Sequence, residues 1–82
     1  MENIQQKILD LIEVEKKEQC VNATPTEIFE PVKALVGDKT FMKQADAKDV
    51  AYMVAISKIS SFGLSPSEEL SFSIFEFISM AE

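Results

Sequence analysis

Residues 50–56 read Val-Ala-Tyr-Met-Val-Ala-Ile, an unbroken apolar run in a chain of 82 residues. Asp46 precedes the run as a helix N-cap, and Asp49 would lie in the first turn, where a carboxylate favours the helix dipole. A helix that is apolar on every side is generally buried on every side. The run therefore predicts a helix at the centre of the fold, which emerges into solvent near Lys58.

A stop signal and a new start signal follow this helix. Phe62-Gly63-Leu64 is typical of a Schellman motif, in which a left-handed glycine ends the helix and the flanking apolar residues meet. Ser65-Pro66-Ser67-Glu68 then combines an N-cap serine, a proline at the first helical position and a glutamate that closes a capping box. The pattern predicts a last helix that begins after Ser65. Its apolar stripe would consist of Leu70, Ile74, Phe77, Ile78 and Ala81.

The chain opens with another helical pattern. Asn3 and Gln6 have the spacing of a capping box, so the first helix should begin after Asn3. Residues 15–19 contain no apolar side chain, which predicts that the last turns are solvated and that the helix ends between Glu18 and Val21. The apolar stripe of this helix consists of Ile4, Ile8, Leu11 and Ile12.

A second helix is predicted after Thr24-Pro25-Thr26-Glu27, which again combines a threonine N-cap, a proline and a closing glutamate. Pro31 conflicts with a regular helix, because it lacks an N–H and crowds the preceding turn. We therefore expect either a short helix that breaks near Glu30 or a kinked one. Gly37 should end the segment as a left-handed cap, and residues 38–45 should form a short helical turn or an ordered loop.

These elements predict an all-α fold: a single domain spanning residues 1–82, built as a small bundle of about four helices with a central, buried third helix. The composition agrees with a compact folded chain, since 46% of the residues are apolar, 27% are charged, and there are only two glycines and three prolines. No strand alternation competes with the helical spacing.

The composition excludes several kinds of chemical site. The chain has no histidine, so it lacks the usual proton shuttle near neutral pH and the commonest metal ligand. Its one cysteine, Cys20, cannot form an internal disulfide or a multi-thiolate metal site, and we expect it to be a free buried thiol. Two glycines are too few for a phosphate-binding loop. We therefore expect no catalytic residues, no cofactor and no metal.

Charge and hydropathy narrow the range of partners. The net charge is −6, the pI is about 4.5, and there is no arginine, so nucleic acid is an improbable partner. No apolar segment approaches the length of a membrane span. Met1-Glu2-Asn3 carries an acid where a signal peptide carries basic residues, which predicts a cytoplasmic protein.

The last helix carries the most distinctive surface. Residues 65–82 contain four glutamates and no lysine, a pattern of either a solvated helix face or an acidic surface that attracts a basic partner. Phe72 lies nearly opposite the apolar stripe, so it either meets another element or is an exposed aromatic suited to a protein partner. Leu9 of the first helix poses the same question. The candidate partner-binding residues are Glu68, Glu69, Phe72, Glu76 and Leu9.

The whole chain also resembles a known family. Its length, its opening residues from Met1 to Ile12 and its acidic, arginine-free composition resemble the lysis-inhibition accessory proteins of T-even coliphages, which are cytoplasmic antiholins. The resemblance implies a non-enzymatic protein of the bacterial host cytoplasm that binds the cytoplasmic region of the phage holin and delays lysis. No motif carries the resemblance, so it assigns no site residue.

Two further hypotheses remain open at the level of sequence. An acidic phage protein could instead mimic nucleic acid and inhibit a host DNA-binding protein or nuclease, which requires acids spread over one broad surface. The acids here concentrate in the last helix and the first. A homodimer is the other hypothesis, because small domains with marginal cores often self-associate.

Overall fold

A computed structural model describes residues 3–81 of the chain. The described residues do not include Met1, Glu2 and Glu82. The prediction that the chain lacks a signal peptide uses the first two, and the count of four glutamates in residues 65–82 includes the third. Within residues 3–81 there is no strand, and the prediction of an all-α bundle is confirmed. The helices are α1 (Ile4–Glu18), α2 (Pro25–Gly37), the short α3 (Lys39–Met42), α4 (Ala47–Ser61) and α5 (Glu68–Ser79).

The four long helices form a closed ring around one core. α1 packs against α2 and α5, α4 packs against the same two helices, and α3 bridges α2 and α4. Phe29 of α2 and Phe77 of α5 meet across the diagonal of the ring, with their ring centroids 5.1 Å apart. The buried core consists of Ile8, Ile12, Ile28, Phe29, Val32, Ala51, Ala55, Ile59, Leu64, Leu70, Ile74 and Ile78.

The third long helix, α4, is not buried on every side as predicted. Its buried face is a row of small residues one turn apart, completed by Ile59. Because each helix of the ring has two main neighbours and one side toward solvent, the larger apolar residues of α4 lie outside this face: Val50 is 41% exposed and Met53 is 70% exposed. The small residues in the row are Ala47, Ala51 and Ala55.

α1 begins and ends where the sequence predicts. The side chain of Asn3 accepts a hydrogen bond from the Gln5 N–H at 2.9 Å, as an N-cap does. Gln6 does not close the predicted capping box, since its amide donates to Asp10 one turn further along. The helix ends at Glu18.

α2 begins with the predicted capping box but does not break at its internal proline. The Thr24 hydroxyl accepts from the Glu27 N–H at 3.1 Å, and the Glu27 carboxylate accepts from the Thr24 N–H at 3.4 Å. The helix continues through Pro31, since buried side chains on both sides of the proline anchor it to the core. Gly37 is the last helical residue and not a left-handed cap; the chain turns at Asp38, whose side chain caps α3.

Two residues of the chain between 3 and 81 have a positive φ, and both follow a helix. Gly63 has a φ of +90° and ends α4 as predicted. Cys20 has a φ of +58° and ends α1 in a Schellman motif, in which the Val21 N–H donates to the Lys16 carbonyl at 2.9 Å. This position directs the Cys20 side chain to solvent, so the thiol is exposed and the prediction of a buried one is wrong.

The left-handed Cys20 gives a test of this helix end. Cys20→Gly should raise the free energy of unfolding by about 0.5–1 kcal/mol, because glycine adopts a positive φ without the steric cost that a Cβ imposes. The measurement is equilibrium urea denaturation followed by circular dichroism. Cys20→Ala is the control: it removes the thiol and keeps the Cβ, so its stability should match the parent, and equal stability of the two variants would contradict the assignment.

α5 contains a buried polar atom that the sequence analysis did not single out. Ser73 is fully buried, and its hydroxyl oxygen forms no hydrogen bond with any residue between 3 and 81. Leu70, Ile74 and Ile78 form the predicted buried stripe, while Ala81 lies beyond the helix end at Ser79.

Replacing this serine should therefore stabilise the protein. Ser73→Ala is expected to raise the free energy of unfolding by about 1 kcal/mol, since it removes a buried hydroxyl that forms no hydrogen bond. Ser57→Ala, at an exposed position within α4, measures the gain from helix propensity alone. A Ser73→Ala gain no larger than that of Ser57→Ala in urea denaturation would mean that the Ser73 hydroxyl has a partner in solution.

Candidate functional site

The last two long helices run antiparallel and form the walls of a surface groove. The Lys48 ammonium at the start of α4 donates to the Ser79 carbonyl at the end of α5, over 2.9 Å. One turn further into each helix, the Tyr52 and Phe75 rings meet edge to face, with centroids 5.6 Å apart and planes at 83°. These two contacts set the alignment of the pair.

The groove has a volume of about 580 Å³ and opens to solvent along α5. Phe72 is 65% exposed and Phe75 is 40% exposed, so two aromatic rings face water in the same depression. Exposed apolar surface in a concave site is where proteins commonly bind partners. Glu68 is the one charged residue of the lining. The lining residues are Tyr52, Pro66, Glu68, Ser71, Phe72 and Phe75.

Four hydrogen bonds from the C-terminal end of α1 hold the loop at one end of the groove. We call this set of bonds the α1 clamp; it joins Glu15 to Ser67 and Gln19 to Ser65. The Glu15 carboxylate accepts from the Ser67 N–H at 2.8 Å and from the Ser67 hydroxyl at 2.6 Å. The Gln19 amide donates to the Ser65 carbonyl at 2.9 Å and accepts from the Ser65 N–H at 2.7 Å. Glu15 is only 7% exposed.

The α1 clamp corrects two predictions. The polar run at residues 15–19 is not wholly solvated, because Glu15 is buried against the loop. The last helix begins two residues later than predicted, since Ser67 and not Ser65 is the N-cap, and its hydroxyl accepts from the Leu70 N–H at 3.1 Å. Pro66 consequently lies outside the helix, where its ring forms part of the groove wall.

The five predicted partner-binding residues do not form one surface. Glu68 and Phe72 line the groove together, and of the two alternatives left open for Phe72 the structure shows the exposed one. Glu69 is exposed in the same first turn but outside the groove lining. Leu9 packs half-buried against the core.

Glu76 lies in a second and smaller depression, of about 180 Å³, between α1 and α5. The other lining residues there are Ile4, Lys7 and Met80.

Sequence analysis did not predict that α4 and the loop before α5 contribute to the groove. Glu68, Phe72 and Phe75 follow one another at i, i+4 and i+7, so their common side of α5 can be read from the spacing. Tyr52 packs its ring against the core and Phe75, as expected for the apolar run, but it is only half-buried and also lines the groove. Its pairing with Phe75 depends on the alignment of α4 and α5, for which no local pattern exists. Pro66 could be placed only by locating the true N-cap.

Glu68 and Glu69, at the start of α5, differ from the acids that serve local structure. Several acids elsewhere serve local structure: Glu15 and Glu27 accept backbone hydrogen bonds, and Glu13 forms the one ion pair within residues 3–81, with Lys17 at 3.2 Å. Over that same range Glu68 and Glu69 form no ion pair. Their charges therefore remain available to a partner.

Comparisons of this chain with family models, with curated proteins and with solved structures found no match. Two features of residues 3–81 also bear on its class. No group of three or more histidine, cysteine, aspartate or glutamate side chains is placed there to hold a metal ion. None of its helices is both long enough and apolar enough to cross a membrane.

The α1 clamp is open to a direct test. Glu15→Gln should lower the free energy of unfolding by about 1–3 kcal/mol, because a neutral amide cannot accept both Ser67 hydrogen bonds at a buried site. Glu18→Gln, at an exposed position of the same helix, removes the same charge and should leave stability nearly unchanged. The clamp assignment fails if the two variants unfold at the same urea concentration.

Proposed function

We propose that this protein is a non-enzymatic lysis inhibitor, a cytoplasmic antiholin that binds the cytoplasmic region of a phage holin through the α4–α5 groove. The observation that carries the proposal is the exposed pair Phe72 and Phe75 beside Glu68 in an open groove. Aromatic side chains are enriched at the centre of protein–protein interfaces, and polar or charged groups surround them at the rim. The resemblance of the chain to T-even lysis-inhibition proteins supports the choice of partner.

The chemistry of the groove favours binding over catalysis. Its lining offers aromatic surface, one carboxylate and the Ser71 hydroxyl. Activation of a serine near neutral pH normally requires a general base such as histidine, and the chain has none. The groove is thus suited to hold a partner side chain, and no histidine is present to activate Ser71.

Electrostatics agree with a holin as the partner. Cytoplasmic segments next to membrane spans carry an excess of lysine and arginine. The chain has a net charge of −6, which attracts such segments and raises their rate of association. A protein that binds the holin better in its non-permeabilising state shifts the holin population toward that state, and lysis is delayed.

The first experiment is an NMR titration of the isotope-labelled protein with the soluble cytoplasmic peptide of a T-even holin. Saturable shifts that cluster at Tyr52 and at residues 66–75 would support the proposal, with a peptide of scrambled sequence as the control. Absence of shifts at high micromolar peptide would contradict it. If the protein instead competes with DNA for a host nuclease or DNA-binding protein, the function is nucleic-acid mimicry.

The role of the exposed aromatic can be separated from its contribution to folding. Phe72→Ala should weaken binding of the holin peptide by about thirtyfold, the effect of losing an interface hot spot. The free energy of unfolding should change by less than about 0.5 kcal/mol, because most of the ring is already in water. Calorimetric titration and urea denaturation provide the two readouts.

Met80→Ala is the matched control for this variant. Met80 is 66% exposed against 65% for Phe72, but it lines the smaller depression between α1 and α5. Its removal should leave the affinity unchanged. Equal losses of affinity in the two variants would move the binding surface away from the α4–α5 groove.

A further inference from the structure

The shape of the α4–α5 groove matches a helix. Glu68, Phe72 and Phe75 lie at i, i+4 and i+7 along one side of α5, a stretch of about 10.5 Å or two helical turns. Tyr52 of α4 forms the opposite wall. Two antiparallel helices leave between them a depression into which the apolar stripe of a third helix packs, the arrangement of many helix-in-groove complexes.

The charge at the groove indicates which charge a bound helix should carry. Glu68 stands at the end nearest Pro66 and is the only charged side chain of the lining. Lys48, at the start of α4, donates a hydrogen bond to the Ser79 carbonyl. Glu69 is exposed in the same turn as Glu68, so the Pro66 end of the groove carries negative charge beside apolar rings. A complementary occupant combines an apolar stripe with lysine or arginine.

We infer that the α4–α5 groove binds a basic amphipathic helix of a partner protein. An apolar side chain of that helix lies among Tyr52, Phe72 and Phe75, and a lysine or arginine one or two turns away pairs with Glu68. The inference rests on the proposed function in taking this groove as the binding surface, and it adds the chemistry and orientation of the occupant. A second copy of the chain fits less well, because each copy carries a net charge of −6.

The protein contains its own reporter for this test. Tyr52 is the only tyrosine and the chain has no tryptophan, so its intrinsic fluorescence comes from the groove. The probe is a designed helical peptide of about four turns, with a leucine stripe and lysines and with no aromatic residue. Two matched peptides control for charge and for pattern: one has glutamate in place of each lysine, and the other has the leucine stripe scrambled.

A saturable change in Tyr52 emission with the basic amphipathic peptide alone is the expected result. Glu68→Lys should weaken that binding about five- to tenfold more than Glu69→Lys, because both variants change the net charge equally but only Glu68 lines the groove. Equal weakening by the two variants would reduce the interaction to general charge and overturn the inference. So would equal binding of the acidic peptide, or no saturable change with any peptide.

Further outcomes separate this inference from the proposed function. If the designed peptide binds in the groove but the holin peptide binds nowhere, the inference stands and the antiholin function fails. If the holin peptide binds and shifts only residues outside the groove, the function stands and the inference fails. Concentration-dependent dimerisation without peptide, accompanied by a change in Tyr52 emission, would assign the groove to a second copy and overturn the inference.

Discussion

The buried carboxylate of Glu15 is the group on which the arrangement of the last helix depends. It accepts both the N–H and the hydroxyl of Ser67, at 2.8 and 2.6 Å, and so determines that α5 begins at Glu68. Gln19, the C-cap of α1, holds the Ser65 backbone from the same side. A buried carboxylate is tolerated because it is hydrogen-bonded, and removal of its partners would leave a costly unsatisfied charge.

Local sequence signals identified most of the helices, because capping depends on residues a few positions apart. The Thr24 and Glu27 box and the left-handed Gly63 are where their patterns predict. The apolar run at residues 50–56 was misleading, because an unbroken run says nothing about which side of a helix meets its neighbours. In α4 the alanines face inward and Met53 faces water. The position of α4 in the ring of helices decides which of its sides is buried, and the apolar run at residues 50–56 contains no information about that position.

The candidate site also has one part that could be predicted from local sequence and one part that could not. Phe72 and Glu68 could be found from the spacing within one helix, whereas Tyr52 belongs to another helix and reaches the groove only through the antiparallel pairing. The error at Ser65 has a similar origin: the capping-box spacing favours Ser65, but Glu15, 52 positions before Ser67, holds Ser67 as the cap. Short-range sequence patterns do not predict a structural feature, such as the N-cap of α5, that depends on a residue far away in the chain.

The separation between the two ends of the α1 clamp has a consequence for folding kinetics. Contacts within single helices form in microseconds or less, while a contact across 52 residues must first meet the entropic cost of closing a long loop. We therefore expect the α1 clamp to close late, after the contacts between helices adjacent in the chain have formed. The Pro66 end of the groove then takes its final form only when the ring of helices is complete.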